Sequence, residues 1–168
     1  MRLPVHLHRE GSTMQSDAAV ASGTKNVLLA TTGRDNCLKA EEFALSYCAE
    51  NAATLGIVHV VESDLSHYGQ VDSLATEGDR SDFIIHARRQ EEYDVRQRLE
   101  RVTARAEALN VDYELYIEWD APLYCITKHV RETRSELLVI GGERKRFNPF
   151  SLSHCLTRKV PCQVRKVF

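Results

Sequence analysis

The side chains able to do chemistry in this chain are a basic run, scattered thiols and a few histidines. Arg144, Lys145 and Arg146 stand together between Gly141-Gly142 and Asn148-Pro149. Guanidinium forks match the oxygens of phosphate and carboxylate, so the run reads as an anion contact; three adjacent cations are equally an ordinary solvated loop. The five cysteines are Cys37, Cys48, Cys125, Cys155 and Cys162, an odd number without a C-x-x-C pair. That pattern fits reduced thiols better than a disulfide frame. Cys37 falls at the expected start of a helix, where a thiolate is stabilised; it is the thiol best placed for redox chemistry, an inert thiol being the simpler reading. His59 lies inside the apolar run Ile57–Val61, and with no identifiable partner carboxylate it reads as a buried, hydrogen-bonded structural residue. His154, Cys155 and Cys162 fit no zinc spacing, and His6 and His8 read as solvated, so no metal is expected. Neither a G-x-S-x-G elbow nor a G-x-x-x-x-G-K-[ST] loop occurs. No base, nucleophile or metal cage can be named, and the chain is not expected to be an enzyme.

Composition bounds the partners. With 43% apolar and 27% charged residues, the 168-residue chain buries a core of its own without a disulfide or metal staple. Its 22 Lys+Arg against 24 Asp+Glu argue against a nucleic-acid partner. No apolar run approaches the roughly 18 residues of a membrane span, so no membrane is expected either. Residues 1–24 lack both apolar periodicity and a secretory core; they read as a disordered leader ahead of one domain, 25–168. Together with the thiols this predicts a cytoplasmic protein. From Arg131 to Phe168, nine Lys+Arg face three Asp+Glu. That asymmetry could orient an acidic partner, with ordinary surface charge the slightly preferred reading.

The elements that must position these residues alternate along the chain. Val27–Ala30 is a short apolar run of the kind buried on both faces of a parallel sheet, and it ends at Thr31-Thr32-Gly33. A helix is expected from about Asn36 to Ala53, with Ala40, Ala44, Tyr47, Cys48 and Asn51 inward and Glu41, Glu42 and Glu50 outward. Ile57–Val61 is the second strand. Ser63 to about Arg80 reads as a surface loop. A long helix follows, about Ser81 to Leu109, with Val95, Leu99, Val102, Ala106 and Leu109 as its inner seam. Val111–Trp119 alternates with period two, which marks a half-buried strand near a sheet edge. Pro122 opens a helix to about Thr133. Glu136–Ile140 is the fourth strand, Ser151–Lys159 a short helix, and Cys162–Val167 the last strand. Strands joined by helices run parallel with right-handed crossovers. The fold class is therefore α/β, an open sheet with helices on both faces. Ligands of such sheets bind beyond the carboxyl ends of the strands where strand order switches, here at Thr31–Asp35 and Gly141–Ser151.

Several local runs resemble the universal stress protein family. They are Asn26–Ala30 leading to the Gly33 turn, Ile57-Val58-His59-Val60-Val61-Glu62, Asp120-x-Pro122, Glu136–Gly141 and Arg158–Val164 with its Pro161-Cys162-x-Val164. Their order and spacing cover Lys25 to Phe168. The resemblance implies an adenine nucleotide alpha hydrolase-like sheet of five strands ordered 3-2-1-4-5, and dimerisation through the last strand.

Nucleotide-binding members of that family carry a glycine-rich phosphate loop, where main-chain N–H groups approach phosphate without a Cβ in the way. Gly141 matches the first glycine and Ser151 the hydroxyl residue, whereas Arg144 and Phe150 stand at the other glycine positions. The family's Asp before the turn glycine is Thr32 here, ahead of Gly33. The ligand-binding set implied by the resemblance is thus Thr32, Gly33, Val60, Gly141, Arg144, Arg146 and Ser151, in degenerate form. Two readings follow. In one, the site binds no cofactor and the protein is a dimeric stress-response or interaction module. In the other, Arg144, Lys145 and Arg146 replace backbone donors, and ATP, AMP, phosphate or another anion switches the Ser63–Arg80 loop. The last strand, with Cys162, Gln163, Val164, Arg165, Lys166 and Val167, presents a lightly charged edge, a pairing template. A homodimer by isologous antiparallel pairing there is the natural solution.

Overall fold

Five strands, each followed by a helix except the last, form one parallel sheet ordered β3-β2-β1-β4-β5. The computed structural model describes residues 25–61, 77–142 and 151–168. Its strands are β1 (Asn26–Ala30), β2 (Thr54–Val60), β3 (Tyr113–Glu118), β4 (Leu137–Ile140) and β5 (Gln163–Lys166). A 3-10 turn at Asp35–Cys37 leads into α1 (Leu38–Asn51); the other helices are α2 (Glu77–Ala108), α3 (Pro122–Glu132) and α4 (Leu152–Lys159).

The central strand explains the two-layer core. Successive side chains of a strand point to opposite faces. Val27 and Leu29 enter one cluster with α1 and α2, including Ala44, Leu45, Val95, Leu99 and Val102. Leu28 and Ala30 enter the other, with Ile126, Val130 and Leu156 of α3 and α4. Each fully buried Leu contributes about 1.5–3 kcal/mol, which is why β1 has no polar face to spare.

The observed order and fold class are those expected, and the differences are local. Strand β2 begins at Thr54, before its apolar run, because the Thr54 N–H donates to Lys25 O at 2.9 Å. Gly56 therefore lies inside the strand, where a Cβ would come within 2.8 Å of Leu28 Cδ1. On α1, Ala40, Ala44 and Cys48 are buried as expected, but Asn51 is exposed and Leu45 is in the core. Glu41, expected outward, is only 2% exposed; its carboxylate is buried because it is paired. The seam of α2 holds through Val95, Leu99, Val102 and Ala106. Leu109, expected in that seam, is instead 47% exposed. The helix stops at Ala108 and Val111 takes up the burial.

Helix α2 also starts at Glu77, so residues 77–80 of the expected loop are helical. None of its described residues from Glu77 to Asp94 is buried. Strand β3 does lie at an edge of the sheet. Tyr113, Leu115, Ile117 and Trp119 pack on the α1–α2 side and Tyr116 on the other. There Tyr116 lies against the His129 ring, centroids 4.2 Å apart, and His129 Nε2 meets Glu118 Oε1 at 2.7 Å.

Candidate functional site

The sheet order places the switch between β1 and β4. The connection from β1 leads toward β2, while that from β4 leads toward β5, and it is at such a switch that open α/β sheets form a crevice beyond the strand ends. The first wall is the turn after β1. Gly33 sits in the left-handed region at φ +70°, and its N–H donates to Thr31 Oγ1 at 3.0 Å. Thr31 Oγ1 in turn donates to Glu41 Oε1 at 2.7 Å. Arg101 of α2 completes the group. Its Nη2 reaches Glu41 Oε2 at 3.1 Å and Gly33 O at 3.4 Å, and its Nη1 reaches Asp35 Oδ1 at 3.2 Å.

The floor is β2. His59 is 4% exposed, and its Nδ1 lies 3.0 Å from Thr31 O. A carbonyl only accepts, so Nδ1 carries the hydrogen. Burial pushes the His59 imidazole below its ordinary 6.5, opposed by that hydrogen bond and aided by the nearby Arg98 and Arg34 charges. A histidine held neutral when folded gains a proton on unfolding in acid. Its stabilising contribution is therefore complete above about pH 6.5 and is lost as pH falls through the lowered folded value. We expect the melting temperature to fall from pH 7 to pH 5 more steeply in the wild type than in His59→Gln, measured calorimetrically; equal slopes would remove His59 as the cause.

The second wall is the end of β4. Gly141 meets the 3-10 turn and α1 so closely that a Cβ would lie 2.9 Å from Ala40 Cβ and 3.0 Å from Cys37 Cα. Gly142 has φ +144°, and no described residue comes within 4 Å of where its Cβ would stand. Ser151 is the N-cap of α4, accepting from the His154 N–H at 3.4 Å.

Of the residues expected in the site, Thr32, Gly33 and Gly141 surround one junction. Thr32 is exposed, with its Oγ1 3.4 Å from Cys37 Sγ. Val60 packs instead into the α3–α4 core, and Ser151 bonds within the start of its own helix. Arg144 and Arg146, with Lys145 and Phe150, lie outside the described residues, as do residues 1–24 and 62–76. Of the two readings of Cys37, burial favours the simpler, inert one: at 2% exposure its thiol is shut from solvent. Cys48 is also buried, which pushes its thiol up to about 12. No cluster of three or more metal-ligating side chains occurs among the described residues, nor does any described helix have the length and apolarity to cross a membrane. Thr31, Glu41 and Arg101 were not legible as site residues. The two signals that point to them are adjacent Glu41-Glu42 on one helix and Arg101 and Arg105, one turn apart, on another. Arg105 does reach Glu42 at 3.1 Å, but only the packing of α1 on α2 reveals the match.

A parallel five-stranded sheet whose order switches between β1 and β4 is the architecture of open, doubly wound α/β proteins. Within that class, the model of the universal stress protein family matches residues 23–164, and the chain belongs to this family. A universal stress family protein from Burkholderia pseudomallei superposes with a TM-score of 0.61 at 21% identity, over 88% of this chain and 98% of that one. A family protein from Arabidopsis thaliana with AMP bound gives 0.57 at 20% identity, over 85% and 90%. The Archaeoglobus fulgidus protein in complex with dAMP gives 0.56 at 16% identity, over 87% and 98%. No curated protein sequence matches the chain.

Proposed function

We propose that this protein is a cytoplasmic, homodimeric and non-enzymatic stress-response module whose crevice is no longer built around a nucleotide. The observation that carries this reading is that both surviving residues of the expected phosphate loop have structural work of their own. Gly141 lacks a Cβ because Cys37 and Ala40 press against it, and Ser151 caps α4. Across the crevice Thr32 offers a hydroxyl where nucleotide-binding relatives offer a carboxylate. Binding of an adenine nucleotide or another anion is the second reading, favoured by the relatives bound to AMP and dAMP. Thermal unfolding with millimolar ATP, AMP or inorganic phosphate separates the two. We expect no shift in midpoint, whereas a site with a dissociation constant about 100-fold below the ligand concentration gains about 2.7 kcal/mol and would establish the second reading. ATP turnover above background would refute the non-enzymatic assignment.

The dimer rests on β5. Among the described residues it pairs only with β4, and the Gln163 and Val167 N–H groups bond inward, to Glu136 O and Ile140 O. Alternation along a parallel ladder turns the N–H and C=O groups of Val164 and Lys166 toward the free edge. One face of the strand is covered by α1, where the Arg165 guanidinium stands 5.4 Å from the Phe43 ring centroid. Pairing with a second β5 about a two-fold axis satisfies the edge. In sedimentation at micromolar protein we expect a dimer, converted to monomer by Lys166→Pro, which deletes an outward N–H without touching the β4 ladder. A monomeric wild type excludes this assembly.

A further inference from the structure

The turn that walls the crevice is held from a distance. Within it, the Gly33 N–H is taken by the Thr31 hydroxyl, and that hydroxyl gives its own proton to Glu41. The Glu41 carboxylate is sealed in the core at 2% exposure. Its remaining oxygen, the Gly33 carbonyl and the Asp35 carboxylate all converge on the guanidinium of Arg101. Arg101 itself springs from the half of α2 that cannot move easily, since Val95, Leu99, Val102 and Ala106 around it are each at most 1% exposed.

We propose that Arg101 is the positioning residue of the crevice wall: from a fixed helix, one guanidinium holds the Thr31–Asp35 turn, with Gly33 in its left-handed conformation, before any ligand or partner arrives. The arrangement has a chemical consequence. Thr31 and both main-chain polar groups of Gly33 are spent on internal partners, so what the turn exposes is the Thr32 hydroxyl, the Arg34 guanidinium and the Asp35 carboxylate, the last already paired with Arg101. A wall held this way is preorganised, which lowers the cost of binding whatever it meets. This holds whether or not the visitor is a nucleotide.

The planar fork is what permits one side chain to hold several acceptors at once, and a lysine ammonium lacks it. Arg101→Lys therefore keeps a positive charge beside Glu41, and with it the fold, while losing the grip on the turn. The test is amide hydrogen exchange by NMR in the wild type, Arg101→Lys and Arg101→Met, read at Gly33 and at the core amides of Leu28, Val58 and Leu138. Positioning predicts that Gly33 exchanges at least about tenfold faster in both variants, while in Arg101→Lys the core amides stay at wild-type rates. If Arg101→Met does not fold, Arg101→Lys is read by the same criterion. A smaller acceleration at Gly33, or one that only follows the core amides, overturns the proposal, because a residue that merely adds stability changes all these amides together.

Discussion

Gly33→Ala is expected to lower folding stability by about 3 kcal/mol, adding a left-handed backbone cost of about 1–2 kcal/mol to overpacking of about 1–3 kcal/mol. The second contribution is real because the alanine methyl would stand 3.0 Å from Arg98 O and 3.1 Å from Leu99 Cδ2. Arg98 O is main chain in a well-anchored helix and cannot yield as the tip of a flexible side chain would. For a domain of this size, each kcal/mol moves the melting temperature by about 2–4 °C, so a drop on the order of 10 °C is expected. Trp119 is the only tryptophan and reports urea unfolding directly. A variant as stable as the wild type would mean that α2 does not press on the turn as described.

Arg101→Met is expected to cost a similar amount, about 3 kcal/mol, for a different reason. Removing one partner of a buried ion pair leaves the other charge uncompensated, typically a loss of about 3–5 kcal/mol. The low end applies because the Arg101 side chain is 36% exposed, so water reaches one side of the gap. The double variant Glu41→Met, Arg101→Met removes the stranded charge and is expected to recover most of the loss, to within about 1–2 kcal/mol of the wild type. A double-mutant cycle by urea unfolding measures the coupling. The neighbouring pair between Arg105 and Glu42 is about half exposed on both sides and is expected to couple by less than about 1 kcal/mol. Equal coupling in the two pairs would contradict the burial argument.

The alternation of strand and helix was plain in the sequence because β1, β2 and β4 contain apolar runs, β3 alternates with period two, and the long helix α2 has a seam at Val95, Leu99, Val102 and Ala106. Such periodicity records which side faces a core, and so it served for whole elements. It failed at Glu41, since a carboxylate is read as solvent-facing unless its counter-charge is known, and that counter-charge lies on a helix sixty residues away in sequence. Leu109 failed for a related reason: the seam continues in sequence past the point where the helix ends. The crevice was legible in position, from the turns after β1 and β4, but not in its wiring. Gly141 illustrates the difficulty. A glycine that lets phosphate approach and a glycine that lets Cys37 approach are the same letter, and only the packed α1 distinguishes them.

The central place of β1 bears on synthesis of the chain. Its Val27–Ala30 edge pairs with Leu137–Ile140, so half of its hydrogen-bonding groups stay bare until β4 leaves the ribosome. At translation rates of about 5–20 residues per second, the interval is on the order of ten seconds. For that time a strand bound for the core on both faces has a partner on one side at most, and holdase chaperones have a defined segment to protect.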